Sequence, residues 1–420
     1  MENNITLDEK IYTISLIWKE AEYNFAFWDN LKDLNWDEAY KETLKNIIKT
    51  NDIREYYLEL LKFVSLLRDG HTRIDYFNNI IEMYGVFPLR ICYLNNKHII
   101  MNTNKCFEDK IFCEIYSING ISMQQYIEEK IFPYIWHEKF DSAYWQIWNM
   151  IPIIEAGNEI TIETDNGFFK VKPLKENIEW VKNYSFAINE KINQIYKTDI
   201  LKVGVTHDNL AVITIPLFED DNLPAEFYSI LQQIKDCSGF LIDVRWNGGG
   251  SSYNGDAVAQ AFLNGSFDSG RHKIPVHRGV HKAWGMQYRK MEDETFSTEV
   301  KECPLLINSP VVILENTDTA SAAEDFLIDF DNIQRATIVG TPSYGSTGQP
   351  LFIELPGGGN VRICTRWCLY PNGKEFINIG VMPHIHADLT LNDYKNNFDS
   401  VLETGLKVLR EKVSNSLNSV

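Results

Sequence analysis

The amino-acid sequence predicts an α/β protein in which a helical region and a small β-rich region precede a larger domain of alternating strands and helices. Apolar residues recur every three or four positions from residue 6 to about 67, and short β-like runs follow from about 83 to 180. From residue 200 onward, strand-like and helix-like segments alternate. Such alternation indicates a parallel or mixed sheet covered by helices, which binds ligands at the carboxyl ends of its strands.

These changes in pattern place the domains at residues 1–75, 76–190 and 200–412, with the polar stretch Lys191–Lys197 as the separator. In the first domain, Thr6-x-x-Glu9 is a capping box that begins a helix, and two more helices extend to Leu67. In the third domain, we predict strands at Leu210–Ile215, Phe240–Arg245, Val311–Glu315 and Thr337–Val339 and helices at Ala225–Ile234, Asp256–Leu263 and from Ala322 onward.

The composition and net charge of the chain limit the kinds of molecule that we expect it to bind. The 420 residues include 58 acidic and 40 basic side chains, a net charge of −18, which argues against nucleic acid or an anionic membrane as the main partner. The N-terminus has neither a basic region nor an apolar region typical of a signal peptide. Seven cysteines, sparse and odd in number, are typical of reduced thiols. We therefore expect a cytoplasmic protein.

A glycine-rich loop follows the predicted strand Phe240–Arg245 and carries Gly248, Gly249 and Gly250. A dinucleotide fingerprint requires a glycine at position 253, where the chain has Tyr253. Successive glycine N–H groups can instead form an anion-binding nest such as an oxyanion hole. A tight turn without a ligand remains the alternative.

A second loop of small residues joins the strand Val311–Glu315 to a helix and contains Ser321. At the start of a helix, a serine hydroxyl lies beside free N–H groups that can stabilise an oxyanion. Ser321-x-x-Glu324 is also a capping box, so the local pattern alone favours a helix cap over a nucleophile.

A serine nucleophile requires a base, and the chain has nine histidines. His71 lies in the loop that follows the third helix. His384 and His386 share a strand face, but no cysteine or carboxylate lies at ligand spacing, so we predict no metal site. His272 and its neighbours lie in a basic segment that we expect to be exposed.

Taken together, several runs resemble the serine peptidase family that includes the tail-specific (C-terminal processing) proteases, the tricorn protease core and interphotoreceptor retinoid-binding protein. The runs, in order, are Asp69–Thr72, Gly239–Gly250, Thr319–Glu324, Arg335–Gly340, Tyr344-Gly345 and Ile379–His384. The resemblance implies a crotonase-like ββα catalytic core and a serine-type peptidase that uses no cofactor or metal. It also implies a peptide or protein substrate, with Ser321 as the nucleophile.

The tail-specific branch of this family uses a lysine where this chain has Ser346, so the chain is closer to the tricorn-like branch, which uses a histidine. That branch implies His71 as general base, Glu375 as its orienting carboxylate, and an oxyanion hole at Gly248, Gly249 and Ala322. The run Glu114–Ser122 is similar to the family's PDZ-like segment, although its preceding Gly-Asp is missing, so the β-rich domain is expected to be a degenerate PDZ-like domain.

Two further hypotheses remain open on the same scaffold. One is a non-catalytic protein that binds peptides or hydrophobic ligands, which the missing lysine favours. The other is an esterase that uses the same serine chemistry on small acyl esters.

Overall fold

The computed structural model describes residues 5–75, 78–136, 143–182, 184, 186–263, 267–298 and 305–418. The chain forms two compact units, each assembled from three separate segments. Unit 1 comprises Met1–Asn183, Ile274–Glu292 and Gly348–Trp367, and unit 2 comprises Tyr184–Lys273, Asp293–Thr347 and Cys368–Val420. The three-domain division expected from the sequence stays a prediction.

The α-helices are, in chain order, α1 (Leu7–Asn24), α2 (Trp36–Ile47), α3 (Ile53–Ser65), α4 (Asn78–Tyr84), α5 (Met123–Tyr126), α6 (Tyr144–Ile154), α7 (Leu223–Ile234), α8 (Ser252–Ala259), α9 (Gly279–Ala283), α10 (Ala322–Asn332), α11 (Leu391–Asn396) and α12 (Ser400–Asn418). Short 3-10 or π segments occur at Trp28–Asn30, Lys105–Lys110 and Ile127–Ile131. In the described part of the chain, no helix combines the length and apolar character needed to span a membrane.

The strands are β1 (Arg73–Asp75), β2 (Leu89–Leu94), β3 (Lys97–Thr103), β4 (Ile115–Ile118), β5 (Ile121–Ser122), β6 (Ile160–Thr164), β7 (Gly167–Val171), β8 (Asn193–Lys197), β9 (Lys202–Val205), β10 (Leu210–Thr214), β11 (Gly239–Asp243), β12 (Phe267–His277), β13 (Arg289–Thr298), β14 (Val311–Glu315), β15 (Ala336–Gly340), β16 (Pro350–Glu354), β17 (Asn360–Cys364), β18 (Trp367–Leu369) and β19 (Ile385–His386).

Unit 2 is built on a seven-stranded sheet in the order β19-β15-β14-β11-β10-β9-β8. The strands from β19 to β10 run parallel to their neighbours, and β9 and β8 are antiparallel. All residues of β11 and β14 are buried, as expected for central parallel strands covered on both faces. The predicted α/β class is therefore confirmed.

Helices cover both faces of this sheet. On one face, α12 contributes Val401, Leu406 and Leu409 to an apolar core shared with β10, β11, β14 and β15. On the other face, aromatic rings from α10 pack in series, with the Phe326 and Phe330 centroids 4.9 Å apart. The sheet is thus a rigid support for the loops that leave its strands.

In unit 1, the three predicted N-terminal helices are present, and polar side chains cap their first turns. Thr6 forms the predicted capping box with Glu9. Trp36 of α2 stacks on Phe63 of α3 with ring centroids 4.1 Å apart, which contributes large apolar areas to the core.

The rest of unit 1 contains a β2-β3 hairpin, a four-stranded sheet in the order β5-β4-β6-β7, and a three-stranded sheet in the order β1-β17-β16. The middle region is less purely β than the sequence pattern indicated, because it also contains α6. That helix is apolar along most of its length and includes Pro152, so it has no polar face to reveal a helical period.

Two local expectations from the sequence are wrong. The stretch Lys191–Lys197, expected to be a separator, contains β8, the edge strand of the large sheet, and its exposed residues explain its polar character. His272, expected at the surface, is buried in β12.

Candidate active site

The turn that carries Ser321 begins at the carboxyl end of the buried strand β14. Thr319 Oγ1 donates a hydrogen bond to the Val244 carbonyl, at 3.0 Å, and accepts one from Asn316 N–H at the same distance. Asn316 Oδ1 in turn accepts from Trp246 N–H at 2.9 Å. The turn after β14 is therefore fastened to the loop after β11, which carries the glycines.

Ser321 occupies the N-cap position of α10 in a backbone conformation that L-residues rarely adopt, with φ +57° and ψ −125°. In the described part of the chain, the other N-cap residues whose side chains accept a hydrogen bond all have negative φ, and these are Thr6, Asn35, Asp52, Ser122 and Thr390. Such a conformation costs about 1–3 kcal/mol and occurs mainly at functional sites. A sharp, strained strand-to-helix turn is also how serine hydrolases expose a nucleophilic hydroxyl. Ser321 thus differs from an ordinary helix cap.

The carboxylate of Glu324 holds this turn against the loop at residues 343–346. Glu324 is fully buried and accepts hydrogen bonds from Ser321 N–H at 3.2 Å and Ser343 Oγ at 2.5 Å. It also accepts from Gly345 N–H at 2.6 Å and Ser346 N–H at 3.0 Å. The Ser346 carbonyl accepts a further bond from Ser321 N–H at 3.1 Å. Ser346, which stands at the position of the family's lysine, therefore contacts Ser321 through its backbone.

The glycine loop lies directly against Ser321. Gly249 has φ +103°, and a Cβ atom at this position would lie 2.7 Å from Ser321 Cβ and 2.8 Å from the Ala320 carbonyl oxygen. Asn247, fully buried, donates from Nδ2 to the Ile215 carbonyl, and its own carbonyl accepts from Ala320 N–H. The loop is therefore held in register with the serine turn, and only glycine fits at 249.

Three amides were expected to form the oxyanion hole, and the structure distinguishes among them. Gly249 N–H donates to Asn247 Oδ1 at 2.9 Å, so this amide already has an acceptor. Within the part of the chain that the structure describes, neither Gly248 N–H nor Ala322 N–H donates a hydrogen bond. Ala322 is the first residue of α10, where N–H groups have no partner within the helix. These two amides are the ones available to an anion.

His71 lies in unit 1, in the loop between α3 and β1. The Asp69 carboxyl accepts hydrogen bonds from the His71 backbone and the Thr72 side chain, and Thr72 Oγ1 accepts from Cys364 N–H at 2.9 Å. Burial raises the pKa of Asp69. Hydrogen bonds of Asp69 and Thr72 thus hold the loop of His71 in place.

The His71 imidazole is almost fully buried. Burial, together with the positive charges of Arg362, Arg73 and Arg366, lowers the pKa of His71 to about 3. The ring is therefore neutral at physiological pH, which is the state a general base requires.

Glu375, the expected orienting carboxylate, lies in unit 2 on the turn after β18. Its side chain is 44% exposed and lies 3.9 Å from Lys273 Nζ. A surface ion pair of this kind is screened by water and contributes little energy. The structure does not give Glu375 a buried position, and its role stays a prediction.

The expected residues that come together are Ser321, Gly248, Gly249 and Ala322. Sequence reasoning missed two others, Asn247 and the wider role of Glu324. The capping-box pattern located Glu324, but the partners at 343–346 are distant in sequence and left no local signal.

In the described part of the chain, two groups of histidine and carboxylate side chains that could hold a metal have other partners. His384 Nδ1 accepts from Ile338 N–H at 3.0 Å, and its Nε2 lies 3.2 Å from Asp331. Glu190, His207 and Asp208 form a compact group near the surface, but Arg410 pairs with both carboxylates. Both groups are thus accounted for by hydrogen bonds and ion pairs.

Comparison with known proteins agrees with this geometry. The profile of peptidase family S41 matches residues 209–387, which include the glycine loop, Ser321 and Glu324. The chain is 27% identical over 253 residues to a carboxy-terminal-processing protease of Bartonella bacilliformis, an alignment covering 59% of this chain and 51% of that protein. It is 23% identical over 155 residues to the carboxy-terminal processing protease CtpA of Bacillus subtilis, covering 37% of this chain and 30% of CtpA. The chain thus spans about half the length of the first relative.

Among solved structures, mature CPAF complexed with lactacystin has a similar fold, with a TM-score of 0.74 and 13% identity. The similarity covers 97% of this chain and 99% of that one. At this identity the likeness concerns the fold alone. The likeness to a peptidase family comes from the sequence match and from the motifs that the fold gathers around Ser321: residues 209–387 of this chain match the model of peptidase family S41.

Proposed function

We propose that this protein is a serine-type peptidase that hydrolyses peptide bonds through an acyl-enzyme formed on Ser321. The observation that carries the proposal is the strained backbone of Ser321 beside two amides with no acceptor in the described structure, Gly248 and Ala322. A helix cap alone requires neither feature. The match to a peptidase family over the same residues supports the peptide as substrate.

In the proposed mechanism, His71 accepts the proton of Ser321 Oγ as Oγ forms a bond to the substrate carbonyl carbon. The carbonyl oxygen becomes an oxyanion, to which Gly248 N–H and Ala322 N–H donate hydrogen bonds. The C–N bond then breaks, and the amine leaves with the proton from His71. Water, deprotonated by the same histidine, hydrolyses the acyl-enzyme.

Three positive charges near His71 oppose the proton transfer from Ser321 in this mechanism. Arg362, Arg73 and Arg366 disfavour the imidazolium that forms when Ser321 is deprotonated. A carboxylate partner offsets this effect, and the family resemblance assigns that part to Glu375. The assignment of His71 and Glu375 rests on the resemblance, since the geometry around Ser321 supports the nucleophile and the amides.

A fluorophosphonate probe tests the nucleophile directly, because it reacts with activated serines regardless of peptide preference. We expect the wild-type protein to be labelled at Ser321, as located by mass spectrometry, and Ser321→Ala to remain unlabelled. An unlabelled wild-type protein would overturn the proposal and favour the non-catalytic binding protein.

A second measurement separates the peptidase from the esterase. We expect wild-type protein to cleave unfolded casein, with new termini detected by mass spectrometry, and Ser321→Ala to leave it intact. Hydrolysis of p-nitrophenyl acetate without cleavage of casein would favour the esterase.

The cytoplasmic location expected from the sequence also stays a prediction.

A further inference from the structure

Among the residues that the structure describes, no strand pairs with the outer edge of β16 in the three-stranded sheet of unit 1. In the order β1-β17-β16, this strand pairs with β17 on one side. The Gln349 carbonyl accepts from Thr365 N–H, and Leu355 N–H donates to the Gly359 carbonyl, so the odd-numbered residues face β17. Because neighbouring residues in a strand point their N–H and C=O groups to opposite sides, Phe352 and Glu354 face outward.

The outward groups form a regular set of unused donors and acceptors. They are the Pro350 carbonyl and both the N–H and C=O of Phe352 and Glu354. In the described structure, none of these backbone groups has a hydrogen-bond partner. A row of this kind is a template for one more extended strand.

Two side chains of this edge strand are apolar and exposed. Phe352 is 60% exposed and Leu351 is 37% exposed, while Glu354 adds an exposed carboxylate at the end of the strand. Exposed apolar side chains beside unpaired backbone groups mark an interaction surface. An added strand places one of its residues opposite Phe352, at cross-strand contact distance.

The same sheet carries two arginines and the loop of His71. Arg73 of β1, Arg362 of β17 and Phe352 of β16 lie opposite one another in one row. Asp75 is an ion-pair partner of both arginines, and the exposed Glu354 lies two residues along β16, so the two positive charges are offset by two negative charges.

The register also fixes which end of β16 lies on the side of His71. Pro350 is opposite Cys364, and Cys364 N–H donates to Thr72 Oγ1, the residue after His71. Strands in a sheet are about 4.8 Å apart, so an added strand beside Pro350 lies a few strand widths from the loop of the proposed base.

From this arrangement we propose that the free edge of β16 binds the substrate as an extended peptide strand, with an apolar residue opposite Phe352. The inference rests on the proposed peptidase function, which supplies the peptide as occupant. Main-chain hydrogen bonds give affinity, and the contact with Phe352 gives specificity.

The test measures binding without catalysis, in the Ser321→Ala background. The probe is a fluorescein-labelled octapeptide of alternating valine and threonine with a glutamate at each end, and its binding is measured by fluorescence anisotropy.

Two variants at position 352 separate the backbone from the side chain. Phe352→Pro removes the outward N–H, while Phe352→Val removes the ring and keeps the N–H. Proline is tolerated at an edge position whose N–H points to solvent. We expect Phe352→Pro to bind about five- to tenfold more weakly than Phe352→Val, the effect of about one hydrogen bond. Equal affinities of the two variants contradict the proposal.

A ligand-side experiment covers the case in which Phe352→Pro does not fold. Replacing the valine amides of the probe by esters removes donors without changing the side chains, and we expect binding to the Ser321→Ala protein to fall at least about tenfold. Unchanged binding of the ester probe overturns the proposal.

Sedimentation distinguishes the remaining occupant, a second copy of this chain. A wild-type dimer that Phe352→Pro converts to a monomer would assign the edge to self-association and contradict substrate binding. Because the binding assays do not depend on turnover, their failure is distinguishable from failure of fluorophosphonate labelling, which concerns Ser321 alone.

Discussion

Gly249 combines a left-handed backbone with close neighbours on the side where a Cβ atom would lie. In Gly249→Ala, the added methyl group lies within 3.0 Å of the turn at 320–322, so Ser321 and the Ala322 amide are displaced. We expect the rate of fluorophosphonate labelling to fall at least about 10²-fold, as for loss of an oxyanion-hole donor. Gly255→Ala is the matched control, because the nearest atom to its Cβ is 3.6 Å away. Labelling of Gly249→Ala at the wild-type rate would show that this contact does not position the serine.

His71 makes stability depend on pH in a defined direction. Its pKa is lowered from 6.5 to about 3 in the folded protein, so between these values the unfolded chain binds more protons and stability falls as pH falls. From about pH 7 to about pH 5 the loss due to this group is about 2 kcal/mol, at about 1.4 kcal/mol per pKa unit. We expect urea unfolding of His71→Gln to lose about 2 kcal/mol less than wild type over that interval. An equal loss in both proteins would mean that His71 is not buried in its neutral form.

At the scale of secondary-structure elements, α10 depends on one carboxylate. Glu324 accepts four hydrogen bonds that join the start of the helix to residues 343–346. In Glu324→Gln, one carboxylate oxygen becomes an NH₂ group that cannot accept, so buried N–H groups lose their partner. We expect the free energy of unfolding to fall by about 2–4 kcal/mol, measured by urea denaturation, with loss of Ser321 labelling. Glu411→Gln, at an exposed position of α12, is the control for the charge change. Unchanged stability of Glu324→Gln would remove the carboxylate from this role.

The sequence predicted those elements whose cause is local. The strand Val311–Glu315 and the helix starting at Ala322 have the predicted bounds, because a short apolar run and a capping box are complete within a few residues. The edge strand β8 was missed because its exposed residues carry no apolar alternation.

In the site, Ser321 and the glycine loop were found as candidates from the small residues and glycines that follow predicted strands. The choice between Gly248 and Gly249 as donor depends on the Asn247 side chain, whose orientation no spacing rule predicts.

At the scale of the whole molecule, the chain enters each unit three times. In unit 1, β1 pairs with β17, which comes from the segment Gly348–Trp367. No periodicity reveals such a return, because the pairing partners are far apart in sequence and each strand has only three to five residues. This is why the sequence supported three consecutive domains, whereas contacts divide the chain into two interleaved units.

The interleaving predicts how a fragment behaves. Residues 1–183 contain the three N-terminal helices but lack β16 and β17, so β1 and the loop of His71 lose their partners. We expect this fragment to lack a cooperative thermal transition and to be cleaved near residue 71 by a low concentration of trypsin. The full-length chain under the same conditions is the control. A protease-resistant fragment with a sharp transition would show that the N-terminal region folds independently.

The strained backbone of Ser321 lowers the stability of the fold at the position of the proposed nucleophile. Glycine adopts positive φ without the steric cost that a Cβ atom imposes, so Ser321→Gly should be more stable than Ser321→Ala by about 1 kcal/mol, the release of strain minus the greater entropy of an unfolded glycine. Differential scanning calorimetry of the two inactive variants measures this difference, and equal melting temperatures would mean that the turn stores no strain. If the difference is found, Ser321 weakens the fold relative to glycine, which has no hydroxyl to serve as a nucleophile. The strained serine then exchanges stability for activity, an exchange that a merely structural serine does not require.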